Sequence, residues 1–208
     1  MIQHTPWIGI LFIALLGCTE RSVQLVPSAT ESADTYLAIP DGEIEKSELF
    51  YDREKSLWTW NNQVYSGYAV SYHGDGTLKE KFGILEGRKQ NQAIHWYPDG
   101  HYERAANYHM GKLHGDKKTW SADTAHTLLS HLQYVAGKAH GEQKIWYPTG
   151  ELFKKLHLNM GQEEGLQQAF RKNGALFAKY EALDGRIFGL KKAALCFGLS
   201  DENIQYGR

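Results

Sequence analysis

The sequence predicts an all-β protein whose β-hairpins stack into one elongated, single-layer antiparallel meander. Two observations support this fold. A unit of 24 residues recurs between positions 67 and 190, and repeats of this length are typical of stacked arrays. In addition, the second half of each unit alternates apolar and polar residues, as a half-buried strand does. Each unit therefore corresponds to one hairpin.

The units are in register along the whole array. Their opening positions are Gly67, Asn91, Gly115, Gly141 and Gly165, with a partial sixth unit at Gly189. Only the third unit is longer, at 26 residues, because two residues are inserted near positions 123–126. An aromatic residue stands five positions after each opening residue: Tyr72, Trp96, Trp120, Trp146 and Phe170.

We interpret this aromatic column as a buried cross-strand ladder that holds the sheet together. In a buried ladder, truncation of Trp146 to alanine costs about 3–5 kcal/mol. The alternative is a groove of stacked rings that binds a sugar or a peptide.

Each unit carries two turn signals. Four units have a pair at positions eight and nine: Asp75-Gly76, Asp99-Gly100, Thr149-Gly150 and Asn173-Gly174. Asp-Gly and Asn-Gly favour two-residue type I′ turns, in which both residues have positive φ. A second glycine closes every unit and is usually followed by a basic residue: Gly87-Arg88, Gly111-Lys112, Gly137-Lys138, Gly161-Gln162 and Gly185-Arg186.

In two units the link between hairpins reads Lys-x-His-Gly, at positions 112–115 and 138–141. Together with the aromatic column and the closing glycines, this pattern resembles the bacterial variant of the MORN repeat over residues 51–190. The resemblance implies membrane-proximal scaffolding or binding, and many bacterial members carry the label of a toxin–antitoxin antitoxin. It also implies a turn role for His114 and His140, which occupy equivalent positions.

The N-terminal residues 1–17 predict a signal peptide with a lipobox, Leu15-Leu16-Gly17 before Cys18. The apolar run 7–16 is too short to span a bilayer but suits a signal sequence. A buried strand or short helix is the alternative interpretation. We predict that Cys18 is lipidated, and the following Thr19, which is not Asp, favours the outer membrane of a Gram-negative bacterium.

The remaining segments complete the predicted domain organisation. Residues 18–47 form an acylated cysteine and a flexible polar tether, and residues 48–66 form an N-terminal cap with a strand at 57–60 and a turn at 61–62. Residues 67–188 form five MORN-like repeats, and residues 189–208 form a C-terminal cap and tail, because the ends of a repeat array need protection. Deletion of residues 189–208 is expected to expose the strand edge at 180–183.

The sequence shows no motif for catalysis or cofactor binding. The net charge is −1, which argues against a nucleic-acid surface. The ten histidines form no zinc motif, and no phosphate loop, nucleophile elbow or carboxylate pair is present. We therefore expect no enzyme activity, no metal and no cofactor. The apolar setting of Cys196 favours a small buried hydrophobe, with a redox or copper contact as the alternative.

Two functional hypotheses follow. The first is a membrane-anchored envelope lipoprotein that acts as a non-catalytic protein-binding or scaffold module. The second is an antitoxin-like protein that neutralises a partner by binding it. The lipobox favours the first, because an exported protein cannot meet a cytoplasmic toxin. Candidate binding residues are Trp96, Trp120, Trp146, His114 and His140.

Replacement of Cys18 with serine tests the lipid anchor. Because serine cannot accept the lipid, the variant is expected to move from the detergent phase to the aqueous phase in membrane fractionation. An unchanged distribution would contradict the anchor.

Overall fold

The computed structural model describes residues 37–190. The signal segment with Cys18, the first part of the tether, Cys196 and residues 191–208 lie outside the described residues.

The N-terminal segment forms five short elements. They are strand β1 (Glu43–Glu45), a single turn of 3₁₀ helix (Lys46–Glu48), and strands β2 (Phe50–Asp52), β3 (Leu57–Trp60) and β4 (Gln63–Val64). The last three form a small antiparallel sheet of their own. The turn between β3 and β4 is Asn61-Asn62, and both residues have positive φ.

The remaining strands form the meander that the sequence predicts, and the all-β hairpin fold is confirmed. They are β5 (Gly67–Tyr72), β6 (Leu78–Leu85), β7 (Arg88–Trp96), β8 (Tyr102–His109), β9 (Lys112–Trp120), β10 (Leu128–Val135), β11 (Lys138–Trp146), β12 (Leu152–Asn159), β13 (Gln162–Glu163), β14 (Gly165–Phe170), β15 (Leu176–Leu183) and β16 (Arg186–Leu190). Together with β1 they make a 13-stranded sheet. Sequential strands from β5 onward pair with each other, except that β14 pairs with β12 and not with the short β13, which also pairs with β12. No helix among residues 37–190 has the length and apolarity to cross a membrane.

Strand β1 corrects the predicted extent of the tether. The polar composition predicts a flexible segment up to Ser47, but β1 pairs in parallel with β5 at the edge of the large sheet. Its central residue Ile44 packs against the core, and Leu49 does the same just after the 3₁₀ turn. Gly83 leaves room for Ile39, whose Cδ1 would lie 2.1 Å from any Cβ at that position. Apolar residues scattered through a polar segment therefore anchor it.

The turns at the Asp-Gly and Asn-Gly pairs are not the type I′ turns that the sequence predicts. Only the glycine of each pair has positive φ, for example Gly76 at 86°. The loop 73–77 is a type I turn followed by a left-handed glycine, with the Gly76 N–H bonded to the His73 carbonyl at 3.0 Å. Asp75 Oδ1 accepts the Thr77 N–H at 2.9 Å, which keeps the aspartate in its turn conformation.

The type I′ turns lie at the closing glycines. Glu86 and Gly87 have φ of 51° and 74° and join Leu85 directly to Arg88. The same pair of positive φ values recurs at Met110-Gly111, Ala136-Gly137, Met160-Gly161 and Asp184-Gly185. The type I turns thus join the strands at one end of the hairpins, and the type I′ turns join them at the opposite end.

The opening residue of each unit is also left-handed, which explains the glycine column. These residues, with the exception of Gly67 at φ 150°, have φ between 60° and 110°, and the ladder shifts register beside them in the middle units. Asn91 is the one non-glycine residue of the column, and asparagine is among the side chains that tolerate this conformation best. Buried Gln143 and Gln167 bond the backbone near two of these irregularities, with Gln167 Nε2 donating to the His157 carbonyl at 2.7 Å.

Neighbouring hairpins are linked by one recurring hydrogen bond. The side chain that follows the aromatic column reaches the carbonyl of the next unit's aromatic residue: His73 Nε2 to Trp96 O at 2.9 Å, Tyr97 Oη to Trp120 O at 2.9 Å, and Tyr147 Oη to Phe170 O at 3.0 Å. The third unit has Ser121 at this position, and its hydroxyl instead bonds Asp123 within the inserted loop.

The apolar core is concentrated under the N-terminal segment. Its buried residues are Tyr65, Ala69, Phe82, Ile84 and Ala93. Leu132 and Leu156, which occupy the Phe82 position in later units, are only partly buried.

The aromatic column is likewise not a fully buried ladder, because Tyr72 is half exposed and the other four rings are partly buried. No described residue forms a second layer over this column, so we expect truncation of Trp146 to cost less than truncation of a core aromatic does.

Strand β16 corrects the expected effect of a C-terminal deletion. Arg186, Ile187 and Phe188 already pair with Leu183, Ala182 and Glu181 of β15. The strand edge at 181–183 is therefore covered by residues that precede position 189 and stays paired when residues 189–208 are removed. Of the predicted edge 180–183, only Tyr180 loses its partner, Gly189.

The hydrogen bond between hairpins predicts a specific stability loss. Replacement of Tyr147 with phenylalanine removes the bond to Phe170 O and should lower the free energy of unfolding by about 1 kcal/mol. Urea denaturation followed by tryptophan fluorescence measures this change. Replacement of Tyr102 with phenylalanine is the matched control, because this residue is 49% exposed and its hydroxyl bonds no described residue. Equal losses in the two variants would contradict a stabilising link.

Candidate ligand-binding cleft

A cleft of about 340 Å³ lies between the small sheet and the first two type I′ turns of the large sheet. It is lined by Tyr51, Ser56, Trp58, Gly87, Arg88, Lys89, Met110, Gly111 and Lys112. This volume is within the range of small-ligand sites in proteins. The lining contains three basic side chains and no acidic one.

Two of the basic residues are available to a ligand. Arg88 and Lys112 form no ion pair with any residue of the described chain, whereas Lys89 Nζ lies 3.7 Å from Glu80 Oε1. Arg88 begins β7 and Lys112 begins β9, with one strand between them. Two strand spacings separate these positions by about 10 Å, which equals about three residues of extended chain.

Aromatic rings form the wall of the cleft on the side of the small sheet. Tyr51 and Trp58 have ring centroids 4.9 Å apart, and Trp58 also contacts Phe82 of the core at 5.5 Å. Gly87 allows this wall to approach closely, because a Cβ there would lie 3.0 Å from Leu57 Cδ2. The Trp58 N–H bonds the Gly87 carbonyl at 2.7 Å, which fixes the two sheets to each other at the cleft.

A buried carboxylate lies beneath the cleft. Glu80 is only 4% exposed and forms ion pairs with Lys46 of the 3₁₀ turn, Lys89 and His95. Burial alone would raise the pKa of Glu80, but hydrogen bonds and attraction from His95 and Lys46 outweigh it and lower the pKa to about 2. Burial in turn lowers the pKa of Lys89 despite its pairing with Glu80.

Lys89 connects this network to the cleft. Its ammonium lies 3.9 Å from the centroid of the Phe82 ring and 5.4 Å from that of Tyr108, a cation–π arrangement. Burial raises the pKa of Tyr108, so its hydroxyl stays neutral beside the cation. The aromatic contacts and Glu80 hold Lys89 in place, while Arg88 and Lys112 project around the opening.

The binding residues predicted from sequence lie elsewhere, and none of them lines the cleft. Trp96 and Trp120 both contact Tyr102, at 6.2 and 5.6 Å between ring centroids, and form a short row of rings. Trp146 lies at the end of β11, partly buried. His114 lies 5.8 Å from His109 between ring centroids, and His140 has a buried Nδ1 without a hydrogen-bond partner in the described part of the chain. These residues do not converge on one site.

The sequence carried one signal for the cleft. Arg88 and Lys112 belong to the column of basic residues after the closing glycines, which the repeat alignment identifies but does not connect to Tyr51 and Trp58. The sequence also shows no metal motif. In the folded chain, however, one side-chain N or O atom from each of Asp99, His101 and His126 lies within 4.8 Å of the others.

No protein-family model matches this chain, and no curated protein matches it significantly.

Proposed function

We propose that this protein is a membrane-anchored envelope lipoprotein that acts as a non-catalytic binding module, and that its cleft holds an acidic segment of a partner protein. The observation that carries the proposal is the pair of cations Arg88 and Lys112, which form no ion pair within residues 37–190 and lie beside the rings of Tyr51 and Trp58. The resemblance to bacterial MORN repeats, with their membrane-proximal binding roles, supports it. The lipobox at Cys18 supports the envelope location and argues against the antitoxin alternative.

The spacing of the cations favours an extended peptide over a single small anion. The backbone positions of Arg88 and Lys112 lie about 10 Å apart, a distance that an extended chain spans and a single phosphate or sulfate ion does not. An extended chain can present one carboxylate to Arg88 and another, about three residues later, to Lys112. Aromatic walls such as Tyr51 and Trp58 add contact area for the intervening side chains.

The net charge of −1 also favours a local contact over a broad electrostatic surface. Of the basic residues, only Arg88, Lys89 and Lys112 line the cleft, so binding there should depend on a few defined contacts. Because the site is exposed, its affinity should fall as salt increases.

A labelled hexaglutamate peptide is a suitable probe for this site, with hexaglutamine as the neutral counterpart. Replacement of both Arg88 and Lys112 with glutamine should raise the Kd for hexaglutamate by about tenfold or more, since two charge-assisted contacts are lost. Fluorescence anisotropy at low salt measures the change. Glutamine suits this column, because Gln162 occupies the same position in the fourth unit.

The matched control replaces Lys138 and Arg186 with glutamine. These residues hold the same position in the third and fifth units but do not line the cleft. The control should bind hexaglutamate as the unmodified protein does. Equal weakening in both double variants would indicate a nonspecific charge effect and contradict the cleft as the site, as would equal affinity for hexaglutamine.

A further inference from the structure

A cluster of two histidines and one carboxylate lies among the type I turns. The cleft lies at the opposite ends of the strands, among the type I′ turns. His101 Nδ1 is 3.4 Å from Asp99 Oδ1, and His126 Nε2 is 3.5 Å from Asp99 Oδ2. The two imidazole rings stack with centroids 3.6 Å apart and planes 11° from parallel. Asp99 and His101 belong to the turn of the second hairpin, and His126 belongs to the inserted loop of the third.

The turn itself does not require a histidine at position 101. The equivalent residues in the other units are Thr77, Thr127, Glu151 and Ala175, and each accepts through its carbonyl the same turn hydrogen bond that His101 accepts from the Tyr97 N–H. Asp99, in contrast, has a turn function, because its Oδ1 accepts the His101 N–H at 3.0 Å, as Asn173 Oδ1 does for Ala175. The carboxylate charge and the His101 ring are therefore additional to what the fold needs.

His126 occupies a position that the other four hairpins give to glycine. Its N–H bonds the Asp123 carbonyl at 3.0 Å, as the Gly76 N–H bonds His73, and its φ is 46°. Glycine tolerates this left-handed conformation better than a residue with a side chain, so the turn itself does not call for a histidine here. The loop that contains His126 is also the single insertion in the array, and it carries the ring onto His101 of the preceding hairpin.

The His126 ring does not act as a structural hydrogen-bonding group in the way other histidines of the array do. His73 bonds the Trp96 carbonyl and His157 bonds the Glu164 carbonyl. The Nδ1 of His126 is buried and has no hydrogen-bond partner among the described residues, while its Nε2 faces Asp99. The described contacts of the His126 ring are thus with the Asp99 carboxylate and with the ring of His101.

We propose that Asp99, His101 and His126 form a binding site for a divalent transition-metal ion of the zinc class. Two imidazole nitrogens and one carboxylate oxygen are ligands that zinc accepts, and three protein ligands leave a coordination position for water. The potential ligand atoms lie within 4.8 Å of one another and must approach further to share an ion. His101 can make this movement, because its side chain is 58% exposed.

Isothermal titration calorimetry with zinc chloride on the full-length chain tests the site. The chain itself supplies the substitutions: His101→Thr copies Thr77 and Thr127, His126→Gly copies the other hairpins, and Asp99→Asn copies Asn173. Each should raise the Kd for Zn²⁺ by about tenfold or more, because a direct ligand is lost. His126→Gly should also keep or raise the melting temperature measured without metal, since glycine tolerates the left-handed conformation of this position better.

His131→Gln is the matched control. His131 also faces a carboxylate, with its Nε2 3.0 Å from Asp116 Oδ1, but it lies outside the cluster. This variant should bind Zn²⁺ as the unmodified chain does, and Mg²⁺ should not compete, because it prefers oxygen ligands. The proposal is overturned if Zn²⁺ binding is absent, if it persists unchanged in His101→Thr and His126→Gly, or if His131→Gln weakens it equally.

Discussion

The buried carboxylate of Glu80 is the interaction on which the N-terminal half of the structure depends. It joins the 3₁₀ turn, through Lys46, to strands β6 and β7, and its pairing with Lys89 neutralises a cation held against the core rings. A charge buried without a partner is strongly destabilising. Loss of this carboxylate would therefore loosen the cover of the core and also the floor of the cleft, because Lys89 belongs to both.

Within residues 37–190 the large sheet has no second layer along most of its length, so its order needs another source, and the backbone supplies it. Each hairpin contains left-handed residues at the type I turn, at the type I′ turn and at the opening position. These positions set the register of every strand pair. Except at the first residue of each type I′ turn and at His126, they are occupied by glycine or asparagine, which tolerate the conformation best. Hydrogen bonds such as Tyr147 to Phe170 O then join one hairpin to the next. His126 is the one residue of the type I turn column that is not glycine, and it lies beside Asp99 and His101.

The period of the repeat was sufficient to predict the hairpins and their order, because each unit repeats the same alternation and turn signals. It was not sufficient for the turn types. Asp75 looks like half of a type I′ pair, but its side chain accepts a backbone N–H and leaves only Gly76 left-handed. The cleft and the Asp99 cluster could not be predicted either. Both arise from contacts between segments that are far apart in sequence, such as Trp58 with Gly87 and His101 with His126.

The most direct test of the role of Glu80 is the pH dependence of unfolding. A pKa lowered from 4.5 to about 2 contributes about 3 kcal/mol that is fully present above pH 4.5 and is lost as the pH falls toward 2. Urea unfolding of the unmodified protein and of Glu80→Gln should therefore differ by about 3 kcal/mol at pH 6 and converge near pH 2. Glu142→Gln, which removes an exposed pair with Lys155, should change stability by about 1 kcal/mol or less. A Glu80→Gln variant as stable as the unmodified protein at pH 6 would contradict the account.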